Sequence, residues 1–147
     1  MADYGPTRAD GGIPFQDVAP TGSRIGGLVV WHGGKNRNVI VGIQVLYQDV
    51  TTGALVLGEQ HGGAAGADVK QAIFVLKAGE FITQISGRFG QFVDSLTVET
   101  NLGARYGRYG GLGGFEDYEF PPTSTDEIVG FLGKSGTLID SIGCRTE

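Results

Sequence analysis

A seven-residue pattern occurs twice, 46 positions apart: Gly90-Gln91-Phe92-Val93-Asp94-Ser95-Leu96 and Gly136-Thr137-Leu138-Ile139-Asp140-Ser141-Ile142. Each copy is a glycine, three residues and a carboxylate leading into an apolar run. The flanks extend the match, because Ile85-Ser86-Gly87-Arg88-Phe89 precedes the first copy and Phe131-Leu132-Gly133-Lys134-Ser135 the second, each placing a glycine before a cation. A degraded third copy runs from Val30-Trp31-His32-Gly33-Gly34 through Lys35-Asn36-Arg37-Asn38 to Val39-Ile40-Val41-Gly42-Ile43. There Arg37 stands at the glycine position and Val41 at the aspartate position. Self-similarity at a fixed period means equivalent structural units, here three of roughly 45 to 50 residues. They fit one domain over residues 1–147, with 1–10 left as a loose N-terminal extension.

The units are built from strands. Short runs rich in Val, Ile, Phe and Thr, bounded by glycine clusters, predict strands over 28–31, 39–47, 55–57, 72–76, 81–85, 95–100, 128–132 and 137–142. A strand every ten to twelve residues makes the chain all-β. The one helix-like stretch, 67–76, ends in a β-branched and aromatic run and is read as a loop entering a strand. Residues 120–124 are read as a loop before the last strand pair. Glycine is 27 of 147 residues, far above the usual ~7%, with no collagen period. Glycine pairs at Gly11-Gly12, Gly62-Gly63 and Gly110-Gly111-Leu112-Gly113-Gly114 mark turns where a ligand or another backbone can come close.

A net charge of −5 argues against nucleic acid, whose binding draws on clustered Lys and Arg. No apolar stretch is long enough to insert in a membrane, and Met1 to Pro6 has no signal-peptide character. These features predict a cytoplasmic or non-classically exported protein. The single Cys144 excludes an internal disulfide framework. His32 and His61 are read as unrelated loop residues without metal-ligand spacing, so neither metal nor cofactor is expected. Lys134-Ser135 after Gly133 does not make a phosphate loop, because the first glycine would have to stand at Ile128 and no helix pattern follows.

Taken together, Ser86-Gly87-Arg88-Phe89 through Leu96, Tyr106 through Gly114, and Ile128 through Gly143 resemble the jacalin-related lectins, over nearly the whole chain from Gly11. The resemblance implies a β-prism of three four-stranded antiparallel Greek-key sheets about a pseudo-threefold axis. It also implies carbohydrate binding where a Gly-x-x-x-Asp loop faces a glycine-pair loop. By position, one site would use Gly12, Gly136, Asp140 and the backbone amides of Thr137 and Leu138. A second would use Gly90, Asp94, Gly114 and the amides of Gln91 and Phe92. The third unit, with Val41 for the carboxylate and alanine ending its glycine loop, would be silent. No processed N-terminus is recognisable, so the mannose/glucose-preferring branch is the expected one. Homo-oligomers, commonly dimers, are usual among look-alikes.

The residue types suit the chemistry. Sugar hydroxyls both donate and accept, and one ionised carboxylate with two successive amides supplies acceptors and donors at fixed spacing. Trp31, Tyr106 and Tyr109 are candidates for stacking on a sugar face; Trp31 ends an apolar run and reads more often as core, while Tyr106 and Tyr109 precede the glycine loop of the second site. Each aspartate alone could equally cap its own turn. Two other functions remain open: a prism-shaped protein-interaction module without sugar binding, and a glycan hydrolase using Asp94 and Asp140. The second would need the two carboxyls about 5 to 9.5 Å apart across one bond, whereas equivalent positions in different units point to two separate sites and no catalysis.

Overall fold

Strand-forming runs broken by glycine turns leave every described residue outside helix. The computed structural model describes residues 1–123 and 125–147. Among them are twelve strands: β1 (Ala2–Tyr4), β2 (Ile13–Val18), β3 (Ser23–Gly33), β4 (Val39–Asp49), β5 (Leu55–Gly62), β6 (Val69–Val75), β7 (Ile82–Phe89), β8 (Ser95–Thr100), β9 (Arg105–Gly110), β10 (Glu116–Phe120), β11 (Ile128–Ser135) and β12 (Ile139–Thr146). They form three antiparallel four-stranded sheets, ordered β1-β12-β11-β2, β10-β7-β8-β9 and β5-β4-β3-β6. In each sheet the two central strands form one hairpin, and the outer strands arrive from elsewhere in the chain.

Alternation sends one side of every sheet inward. Leu28, Val30 and Ile43 come from one sheet, Ile85, Leu96 and Val98 from the second, and Phe131, Ile142 and Cys144 from the third, all within one buried cluster. Burial also pushes the Cys144 thiol up to about 12, helped by the Asp3 charge. At one end of the prism the repeats meet directly. The Ile40 amide donates to the Val93 carbonyl at 2.9 Å, and the Val93 amide to the Ile139 carbonyl at 3.0 Å. Ile40, Val93 and Ile139 are therefore equivalent, and so are the residues that follow them: Val41, Asp94 and Asp140.

At the other end of β8, Glu80 is buried with a full set of donors. The Lys77 amide donates to its Oε1 at 2.9 Å and the Thr100 hydroxyl to Oε2 at 2.7 Å. The Tyr106 hydroxyl reaches both oxygens, and the Arg24 guanidinium donates to the Glu80 carbonyl.

Four strands escape the sequence reading: β1, β2, β9 and β10. All are outer strands with much of their length exposed and short or charge-rich sequences, as in Glu116-Asp117-Tyr118-Glu119-Phe120. The signal that locates a strand is an apolar run, and an outer strand half in water carries little of it. Residues 1–10 are not a loose extension. Asp3 pairs with Arg145 across β1 and β12, and the Thr7 amide donates to the Ile142 carbonyl at 2.9 Å. The stretch 67–76 becomes β6, as expected, while Phe120 belongs to β10, so the loop begins at Pro121 and Ser124 lies outside the described residues.

The histidines are also corrected. His32 lies in β3 and His61 in β5, and neither is a loop residue. His61 stacks on Phe15 and its Nε2 lies 2.7 Å from the Asp17 carboxylate of β2, bridging two sheets.

Candidate functional site

Both predicted constellations come together at the end of the prism where the repeats meet. Each loop opens on its glycine and reverses the chain within three residues. The Gly136 amide donates to the Leu138 carbonyl at 3.0 Å, and the Gly90 amide to the Phe92 carbonyl at 2.9 Å. This leaves the amides of Thr137, Leu138, Gln91 and Phe92 without a protein acceptor among the described residues. Next to each pair of free donors stands the carboxylate, in β12 for Asp140 and immediately before β8 for Asp94.

The opposing wall is a glycine from a distant segment. Gly12 and Gly114 share one backbone conformation, φ +94°, which side chains rarely adopt. A Cβ at Gly12 would lie 2.8 Å from Asp140 Oδ1, and one at Gly114 2.8 Å from Asp94 Oδ2. A Cβ at Gly11 would lie 3.2 Å from Asp140 Oδ2 and one at Gly113 2.9 Å from Asp94 Oδ1, the other oxygen of each carboxylate. The missing side chains are thus what keeps each acid open to a ligand. Any larger residue would fill the space that a hydroxyl must enter.

The two sites differ in exposure and surroundings. Asp140 is the less exposed, at 8%, whereas Asp94 is half-buried in an open depression bounded by Arg37, Gln91, Phe92, Gly114 and Phe115. Burial raises the pKa of both carboxyls. Arg37 and Arg88 oppose that rise at Asp94, and its own backbone amide and Lys134 oppose it at Asp140.

Arg88, the cation of the repeated flank, ties down the Asp94 site. Its guanidinium donates to the carbonyls of Gly113 and Gly114 at 3.1 and 3.2 Å and pairs with Asp117 at 2.8 Å. The glycine-then-cation pattern was the visible trace of that strap. Arg37 and Phe115 carry fainter signals. Arg37, at the glycine position of the degraded copy, lies 4.9 Å over the Phe92 ring. Phe115 and Ile13 each follow a positive-φ glycine and stand exposed beside a site.

The aromatic candidates fall elsewhere. Trp31 is buried with Val29, Val39, Val41 and Leu46. Tyr106 stacks on Phe74 and binds Glu80, and Tyr109 packs on the core beside His32, so neither bounds the Asp94 depression. The partner of Phe15 in the second unit is Tyr118, since each sits opposite the glycine of Gly133 or Gly87 in register. Sequence similarity around the glycine pairs points instead to Phe115, which is on the surface. At the third position Val41 joins the Trp31 cluster, so that end offers valine where its neighbours offer an acid.

Residues 4–145 match the model of the jacalin-like lectin domain. The chain belongs to the jacalin-like lectin family. This jacalin-like lectin is 35% identical to Jacalin-related lectin 3 of Arabidopsis thaliana over 95% of its length, and spans 22% of that longer protein. It is 32% identical to Jacalin-related lectin Calsepa of Calystegia sepium, covering 95% of this chain and 90% of that one. Among solved structures, a mannose-specific jacalin-related lectin from Morus nigra, in complex with mannose, superposes with a TM-score of 0.81. It is 27% identical, over 99% of this chain and 94% of that one. The likeness covers the whole prism, and residues 4–145 form a jacalin-like lectin domain.

Proposed function

We propose that this lectin binds mannose- or glucose-type residues at two sites per chain, centred on Asp140 and Asp94, and captures glycans by multivalency without chemistry. The observation that carries the reading is the repeated triad of a carboxylate, two unsatisfied amides and an opposed positive-φ glycine. A pyranose ring presents adjacent hydroxyls that can donate to the acid while their oxygens accept from the amides. The mannose specificity of the Morus nigra relative supports the sugar class. Valine at the third position cannot accept such donors, which limits the count to two.

Each site is shallow, and its hydrogen bonds replace bonds to water, so a monosaccharide should bind with Kd on the order of 1 mM. Several sites engaged together would raise avidity by roughly 10² to 10⁴. Calorimetric titration with methyl α-mannoside tests this. Saturation at two equivalents per chain is expected, and absence of any saccharide binding, on a glycan array as well, would reject it. A hydrolase is disfavoured because the two acids stand at equivalent positions of different repeats. Release of reducing ends from oligosaccharides would overturn that.

Binding should also depend on pH. Burial raises both acids above the ordinary aspartate value of 3.8, and a protonated carboxyl loses acceptor capacity toward the sugar. Affinity should therefore fall on acidification at a higher pH than an ordinary aspartate would give. Titration of the variants retaining one site each would assign the two transitions.

Gly12→Val should abolish the Asp140 site alone, leaving one equivalent of sugar bound at the Asp94 site. Gly114→Val should do the reverse. Two equivalents bound by either variant would contradict the role given to these glycines.

A further inference from the structure

The threefold relation that makes Val41 the counterpart of Asp94 and Asp140 also locates a third hollow at this end of the prism, and it is open. The depression at the Asp94 site measures about 180 Å³, and its counterpart at Val41 about 380 Å³. The position without an acid is thus the larger of the two.

Its chemistry is inverted. It is lined by Val39 and Val41, both buried, by the half-buried Val69 and Leu138, and at the surface by Ala65 and Ala67. Val69 and Leu138 rest against the cluster of Trp31, Val39 and Val41, so the hollow is built into the packing. No carboxylate lines it, whereas Lys35 and Arg37 do. Both cations stand exposed on the loop between β3 and β4, and neither forms an ion pair among the described residues. Arg37 lies over the Phe92 ring and borders the Asp94 depression as well, but Lys35 lines only the hollow at Val41. The amides of Lys35, Asn36 and Arg37 add further donors, since none has a protein acceptor among the described residues.

Two roles are thereby separated in space. The valine and leucine walls take a hydrocarbon body out of water, and the rim of cations and amides takes an anionic head. A neutral sugar suits neither part. Its hydroxyls would face valine and leucine, and each hydrogen bond to water lost there would go unreplaced.

We infer that the hollow at Val41 is a binding site for a small apolar carboxylate, with its rings against Val69 and Leu138 and its charge held by Lys35 and Arg37. A guanidinium can grip a carboxylate through two parallel N–H donors, which a single hydroxyl cannot match. Size narrows the class further. Small-molecule sites span about 300 to 1,000 Å³, and 380 Å³ stands at the lower end of that range, which favours a compact aromatic acid over a long lipid chain.

Calorimetric titration of the full chain with 1-naphthoate, at low salt and without sugar, tests the assignment. One saturable equivalent per chain is expected. The uncharged analogue 1-naphthalenemethanol, which keeps the rings, should bind at least about 10-fold more weakly, and acetate, which keeps only the charge, should not bind measurably. Lys35→Glu, at an exposed loop position, should weaken 1-naphthoate by about 10-fold or more, because it turns an attraction into a repulsion. Val41→Asp should do the same, and Asp94 and Asp140 show that the fold accepts an acid at this position. Thermal melts check that each variant is folded, and Lys35→Glu decides the matter alone if Val41→Asp is not. Absence of saturable 1-naphthoate binding below about 5 mM overturns the assignment. So does equal affinity for the uncharged analogue, or binding unchanged in Lys35→Glu or in folded Val41→Asp. The double variant Asp94→Ala, Asp140→Ala should keep the wild-type isotherm, and loss of binding there would place the ligand in the sugar sites and overturn the assignment too. No arm uses a saccharide, so the result stands whether or not the sugar reading holds.

Discussion

Asp140→Ala is expected to lower the sugar bound per chain from two equivalents to one, Asp94→Ala to do the same at the other site, and the double variant to bind none. Each carboxylate stands beside its pair of free amides, and each is proposed to hold two hydroxyls. Hydrogen bonds to a charged group contribute about 1.5–3 kcal/mol apiece, so removing the acid weakens a site that starts near 1 mM by at least about 10- to 100-fold. That takes it out of measurable range. On immobilised mannose, each single variant should elute early and the double variant should not be retained. Two equivalents bound by the double variant would move the sites away from these acids.

These substitutions should leave the fold intact. Folding raises the pKa of both aspartates, so at neutral pH their ionised forms detract from stability, and the native state is relieved as pH falls. Replacing either with alanine should hold the melting temperature or raise it slightly. Acids retained at such a cost are the pattern of a functional site.

Glu80→Ala should do the opposite, lowering stability by about 2–4 kcal/mol with no change in intrinsic sugar affinity. Truncation orphans the Lys77 amide and the Thr100 and Tyr106 hydroxyls at a buried position, and each orphaned group costs about 1–3 kcal/mol, partly recovered if water enters. For a domain of this size that is a fall of roughly 5–15 °C in melting temperature. Burial alone would raise the Glu80 pKa. The hydrogen bonds from Lys77, Thr100 and Tyr106, with the Lys77 charge, hold it below the ordinary 4.5. Its contribution is therefore complete above 4.5 and lost as pH falls through the lower folded value. The alanine variant should show a flatter acid limb than the wild type in melts followed by circular dichroism. An unchanged melting temperature at neutral pH would mean that the network adds nothing. Because Glu80 sits at the opposite end of β8 from Asp94, calorimetry should still find two sites of wild-type affinity.

The repeat at Gly90 and Gly136 was enough to predict three equivalent units, and the apolar runs located the central strands of each sheet. Asp94, Asp140 and the empty position at Val41 were legible for the same reason: a loop that must turn within three residues before an inward-facing strand leaves few choices of sequence. Four of the six outer strands, β1, β2, β9 and β10, were not legible, because they carry no sustained apolar run and owe their conformation to the neighbours they pair with, whereas the outer strands β5 and β6 were located by theirs. Nor were the tasks of individual side chains. Tyr106 and Phe115 both adjoin the same glycine-rich stretch, yet one lies against Glu80 and the other beside Asp94.

Local composition alone determined that this chain is all-β, threefold repeated and supplied with two acid-bearing loops, since those properties follow from spacing along the backbone. Only the tertiary structure decided that Gly12 meets Asp140 across more than a hundred residues and that Arg88 secures the loop at Gly113 and Gly114. Those facts depend on which strands pair and in what register, and pairing is set by burial shared among distant segments, which no single stretch of sequence encodes.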